Sequence, residues 1–197
     1  MMRIAFYIFL FCLSLSMHAQ SDRVEWQPNY TFSLSDFANP GTRIDSRLEK
    51  TLLQPSIVIE LGFQMSGVEF MFSRNFNEKV TCFYDRGAAV ILAQNSYEAE
   101  ELLKLAAFDF DLSELNARKI RKGLFENKKT FSDVYYFQPF YDKIINERNA
   151  ESSRVYLESD FGKNEEVLKA EHAKVKKAIL ELSDYCKSCK PPKKKGN

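Results

Sequence analysis

Seven residues near the C-terminus, Leu168, His172, Val175, Ile179, Leu182, Cys186 and Cys189, recur at steps of 4, 3, 4, 3, 4 and 3. That spacing follows one side of an α-helix, and an apolar stripe of this kind must be covered by other parts of the chain or by a partner. The sequence therefore predicts a long amphipathic C-terminal helix whose seam both cysteines continue. Pro191 disfavours helical geometry at Lys190, so the helix is expected to end around Cys189.

What the helix packs on is read upstream. SIVIELGF alternates Ile57, Ile59, Leu61 and Phe63 with Val58 and Glu60, and GVEFMF alternates Val68, Phe70 and Phe72 with Glu69 and Met71. With Ser66-Gly67 between them, the two segments read as a β-hairpin. KVTCFY and AAVILAQ, joined by Asp85-Arg86-Gly87, add two strands, and shorter strands are expected at Tyr30 to Leu34 and in RVYLES. Helices are expected in SRLEKTLL, with Ser46 and Glu49 as a capping box, and in NSYEAEELLKLAAF, with Asn95 and Glu98 in the same roles. DLSELNARKIRKG repeats the device at Asp111 and Glu114 and stops at Gly123, and PFYDKIINERN carries Pro139 in its first turn. Strands followed by helices predict an α+β fold, an antiparallel β-meander of about four to six strands packed with about four helices. Seventeen Phe and nine Tyr supply bulky core material.

The first nineteen residues stand apart. MMRIAFYIFLFCLSLSMHA has one positive charge at Arg3, an apolar run from Ile4 to Leu13 and then small and polar residues, the layout of a secretory signal peptide cut after Ala19 or after Ser16. The run is shorter than the ~20 residues a membrane-spanning helix needs. Residues 20–185 are then expected to form a single α+β domain, and residues 186–197 a Cys-x-x-Cys helix end with a Lys-rich disordered tail. The mature chain is expected to be exported, periplasmic or extracellular. Of the 28 Lys and Arg, one lies in the leader and five follow Tyr185, so the body holds 22 bases against 27 acids, a net of −5 beside a +5 tail.

Few chemistries are compatible with the remaining residues. Zinc needs four ligands, or three and a water, and the mature chain offers only Cys82, Cys186, Cys189 and His172 as Cys or His donors. His172 and Cys186 would lie about 21 Å apart on one helix, so no metal and no cofactor is expected. Cys186 and Cys189 are candidates for a disulfide or a thiol pair. Redox enzymes place such a pair at a helix N-terminus, where the dipole stabilises thiolate, and this pair falls at a C-terminus. In a regular helix Cβ atoms at i and i+3 are about 5–6 Å apart, beyond the ~3.8 Å a disulfide prefers. A bridge therefore requires the last turn to loosen, which Pro191 and Pro192 permit. Glu60 and Glu69 would be diagonal neighbours on the open face of the expected hairpin, roughly 7–8 Å apart at their backbones, within the range hydrolytic carboxylate pairs use. FDFDLSE resembles the start of a calcium loop but has Glu114 at the glycine position and Ile120 at the terminal glutamate.

There is no Gly-x-Ser-x-Gly elbow, phosphate loop or dinucleotide fingerprint. The aromatic run VYYFQPFY reads as core, and ARKIRK, without interleaved exposed aromatics, does not predict nucleic-acid binding. The expectation is an exported, non-enzymatic binding domain for a protein or an anionic envelope component. Its contact surface is expected on His172, Val175 and Ile179 of the final helix and on Lys193, Lys194 and Lys195 of the tail. The competing class is a small exported enzyme using Glu60 and Glu69, or Cys186 and Cys189.

Overall fold

A computed structural model describes residues 22–62, 66–129, 132 and 135–192. The expected leader at 1–19, Phe63 of the first expected strand, and Lys193, Lys194 and Lys195 lie outside the described residues. The fold is α+β. Among the described residues it has four α-helices and six short strands in two separate three-stranded sheets.

The first sheet has β1 (Arg23–Glu25) and β4 (Ile57–Leu61) on either side of β5 (Val80–Asp85), all antiparallel. In the second, β6 (Val90–Ala93) is flanked by β2 (Arg43–Ile44), which runs parallel to it, and β3 (Leu52–Gln54), which runs antiparallel. This differs from a single meander. β5 and β6 are consecutive, yet the Asp85-Arg86-Gly87 turn sends them into different sheets instead of closing a hairpin.

α1 (Gly67–Phe72) occupies the segment expected as the second hairpin strand. Ser66 decides this: its hydroxyl accepts from the Glu69 N–H at 3.1 Å, an N-cap bond that a strand would not make. α2 (Ser96–Asn127) begins as expected, with the Asn95 side chain accepting from Glu98 N–H. It then runs unbroken through Asp111 and Gly123, merging two expected helices into one of 32 residues, about 48 Å long. α3 (Gln138–Glu158) has Pro139 in its first turn and continues through RVYLES, which is therefore helix and not strand. Val155 is buried and Leu157 is 72% exposed, the outcome of a helical twist. SRLEKTLL forms turns and β3 instead of a helix, and Tyr30 to Leu34 is not a strand.

α4 (Glu165–Glu181) carries the C-terminal seam. It has 17 residues and ends before Leu182, earlier than expected, and a 3-10 turn at Ser183–Tyr185 leads to the cysteines.

α2 divides the interior. Phe32, Phe76, Val80, Tyr84, Ile91, Leu102, Phe110 and Ile120 form a core between its sheet-facing side and the strands. Leu105, Phe108, Leu112 and Leu115 on its other side meet Val155 of α3 and Leu168, Val175 and Ile179 of α4. A helix covered on both sides has no solvated face along its middle, and Phe108 to Arg118 is buried without interruption.

Candidate functional site

That central stretch of α2 includes Asp109, Asp111, Ser113, Glu114, Asn116 and Arg118, with Arg121 one turn further on. Buried charges are tolerated only when paired and hydrogen-bonded, and the charged residues of this stretch fall in three groups, each joined by ion pairs.

In the first group, Arg148 of α3 reaches Asp109 at 2.7 Å and donates to the Ser113 hydroxyl at 3.1 Å. Burial, and then the neighbouring Asp109 charge, push the Tyr156 phenol above its ordinary range. In the second, Glu114 Oε1 accepts from Arg118 Nε at 2.9 Å and from Arg121 Nη1 at 2.8 Å. The two guanidiniums then turn outward from the helix. Arg118 donates to the carbonyls of Ile179 and Leu182, and Arg121 to those of Val80 and Tyr185. Arg118 thereby adds a cation to the negative end of α4, and Arg121 ties the turn that follows it to β5.

The third group opens to solvent. Asp111 Oδ1 accepts from the Trp26 indole N–H at 2.7 Å, and Asp111 Oδ2 lies 2.7 Å from His172 Nε2. The Phe108 ring meets the His172 ring edge to face, with centroids 6.0 Å apart. This fixed dyad lines a cleft of about 520 Å³ between α2, α4 and the loop at Asn29 to Phe32. Phe32, Leu103, Ala107 and Leu168 give the cleft an apolar interior, and Lys104, Lys169 and Lys176 stand at its rim. Lys104 and Lys169 are held by Glu165 at 3.2 and 3.1 Å, whereas Lys176 meets no carboxylate among the described residues.

A carboxylate that orients a histidine is half of a hydrolytic machine, and the other half is a nucleophile on that histidine. The hydroxyls lining the cleft belong to Tyr30 and Thr31, and neither bonds His172. Tyr30 donates to Asp36 at 2.9 Å, and burial together with that bond pushes its phenol up to about 12. Thr31 donates to its neighbour's carbonyl, Asn29 O.

The sequence-expected site residues are dispersed. Glu60 stays on β4 and pairs with Arg23 at 3.3 Å, both side chains about half exposed. Glu69 sits on α1, so the hairpin that would have set the two carboxylates diagonally does not form. Val175 and Ile179 are buried against α2, Val175 at the floor of a second cleft between α2, α3 and α4, while His172 lines the cleft beside Asp111. Cys186 and Cys189 form a disulfide with Cα atoms 5.0 Å apart, in a turn after the helix has unwound. Cys82 is a buried thiol raised well above its ordinary range, first by burial and then by the Glu114 charge, which makes it a core residue and not a nucleophile. Among the described residues no three of His, Cys, Asp and Glu gather as a metal-holding group.

Trp26, Asp111, Arg118, Arg121 and Arg148 escaped the sequence reading. Asp111 read as a helix cap, Trp26 lies in none of the elements expected above, Arg118 and Arg121 fall in ARKIRK, and Arg148 falls in an expected helix with no role assigned to it. One signal was available: Glu114, Arg118 and Arg121 are spaced i, i+4, i+7 and so share a helix face. No protein family, curated protein or solved structure matches the chain.

Proposed function

We propose that this chain is an exported, non-enzymatic binding domain for a protein or cell-envelope component, and that the cleft beside His172 is its recognition site. The carrying observation is the state of the Asp111–His172 pair. Asp111 is saturated by Trp26 and His172, and no described hydroxyl or thiol is bonded to the imidazole, so the pair is built to hold a ligand group in place. The leader-like first nineteen residues support export, as does a disulfide, which persists in oxidising compartments. No helix among the described residues is long and apolar enough to cross a membrane.

The lining defines the ligand's chemistry. An apolar body fits against Phe32, Leu103, Ala107 and Leu168, and an anionic group is drawn toward Lys176, the rim lysine that Glu165 does not hold. The test is an NMR titration of the labelled protein with small amphiphilic carboxylates. Shift changes are expected to cluster on Leu103, Ala107, Leu168 and His172 and to disappear in Ala107→Trp, which fills the cleft. Changes scattered over the surface, or unaffected by Ala107→Trp, overturn the reading, and so does His172-dependent ester hydrolysis.

A further inference from the structure

α1 presents its apolar residues the wrong way round for a buried helix. Phe70 alone is buried, while Val68, Met71 and Phe72, spaced i, i+3, i+4 on the opposite side, are 66%, 38% and 74% exposed. A soluble surface helix would carry polar residues there.

The charges around it are mostly positive. Lys128 lies over the Phe70 ring at 4.8 Å and donates to the Met71 carbonyl, which places it at the C-terminal end of α1. The charge of Arg74 is close enough to depress the Lys128 ammonium below its ordinary range, alongside the larger effect of burial. Lys129 follows and is exposed. The acids of the same stretches are Glu69 in α1 and Glu126, two residues before Lys128. Tyr136 packs on Phe70, so the turn bearing Tyr135, 72% exposed, also borders the helix. The disulfide turn is pinned to the same end, because Asn75 and Asn77 both donate to the Cys189 carbonyl. Lys190, the next residue and exposed, therefore stands near the end of α1.

From these observations we propose that this face docks on an anionic lipid bilayer, with Val68, Met71 and Phe72 entering the headgroup boundary and Arg74, Lys128, Lys129 and Lys190 meeting lipid phosphates. Apolar and aromatic tips ringed by cations match an interface whose interior is apolar and whose surface is negative. The acidic body, net −5, is repelled by the same surface, so the protein approaches by this end. The inference rests on the envelope-component reading above and supplies its partner class, at a surface separate from the cleft.

Vesicle sedimentation of the purified mature chain tests it, using phosphatidylglycerol-containing vesicles and pure phosphatidylcholine vesicles. Partition into the anionic vesicles is expected to exceed that into the neutral ones by about tenfold or more. Val68→Ser/Phe72→Ser, whose side chains are solvent-exposed and whose unaltered melting temperature serves as the folding control, is expected to lose about tenfold in partition. Arg74→Glu/Lys129→Glu is expected to fall to the level of neutral vesicles, and Ala107→Trp to bind as the parent does. Equal partition into both vesicle types, or full partition by the serine variant, overturns the inference. Absence of any partition also overturns it and would leave this face to a protein partner. The NMR titration of the cleft decides the binding-domain reading separately, since the two tests use different residues.

Discussion

Arg121 is among the largest fully enclosed side chains of the described residues, at 1% exposure, and it is a cation. Its fork reaches Glu114 and the carbonyls of Val80 and Tyr185, so one residue ties β5, α2 and the C-terminal turn together. Removing one partner of such a buried set leaves charge and carbonyls without compensation, at a cost of about 3–5 kcal/mol. Arg121→Met is expected to lose that much in urea denaturation. Arg121→Lys is not expected to restore it, because an ammonium cannot reproduce the planar fork. Glu60→Gln, which breaks an ion pair open to solvent, is expected to change stability by less than about 1 kcal/mol. The sequence shows that Glu114, Arg118 and Arg121 share a face, yet a charged triplet ordinarily reads as solvated. What buries it is the C-terminus of α4, arriving more than sixty residues later. The same holds for Asp111, whose cap-like position was legible while its partners, 85 residues upstream and 61 downstream, were not.

At the level of elements, the strands β4, β5 and β6 and the starts of α2 and α3 were readable, because alternation, the Asn95 cap and Pro139 act locally. α1 was not, since six residues of GVEFMF satisfy a period of two as well as a helical one until the Ser66 cap bond decides between them. RVYLES failed for a related reason, its alternation being too short to distinguish from one turn of helix. The turn joining α3 to α4 makes a sharper demand. Asp160, Phe161 and Gly162 take consecutive positive φ angles of 48°, 53° and 91°. A Cβ on Gly162 would stand 2.8 Å from the Glu101 carbonyl oxygen of α2. Gly162→Ala therefore combines backbone strain with a contact against rigid main chain, and is expected to cost about 2 kcal/mol or more, read as a lowered melting temperature. A rise in stability would show that the turn can relax away from α2.

For the molecule as a whole, ionisation sets the limits of stability on both sides of neutrality. Hydrogen bonds from Arg154 hold Glu151 below the ordinary 4.5, and those from Lys174 and Arg154 do the same for Glu171. Burial alone would raise Glu98, but the Gln94 N–H and the Thr51 hydroxyl reverse that and hold it low as well. Each carboxylate binds a proton more readily in the unfolded chain, so stability is lost as pH falls below about 4.5. Tyr30, Tyr84 and Tyr136 are raised from 10.0, chiefly by burial, so the unfolded chain releases their protons first and stability is lost as pH rises past about 10. A melting temperature followed from about pH 3 to pH 11 is expected to form a plateau between those edges. A continuous slope across the middle would contradict the assignment.

The hold of Arg118 on the end of α4, and of Arg121 on the turn after it, also bears on the order in which the interior is assembled during synthesis. Both guanidiniums are made on the long central helix, about sixty residues before the carbonyls of Ile179, Leu182 and Tyr185 that receive them. A nascent chain halted before Ile179 would have Glu114 and the Val80 carbonyl as acceptors, but nothing to receive the N–H groups that Ile179, Leu182 and Tyr185 later bind. Consolidation of this part of the interior therefore waits until residues 179–185 have been made, and the polypeptide stays loose there until then.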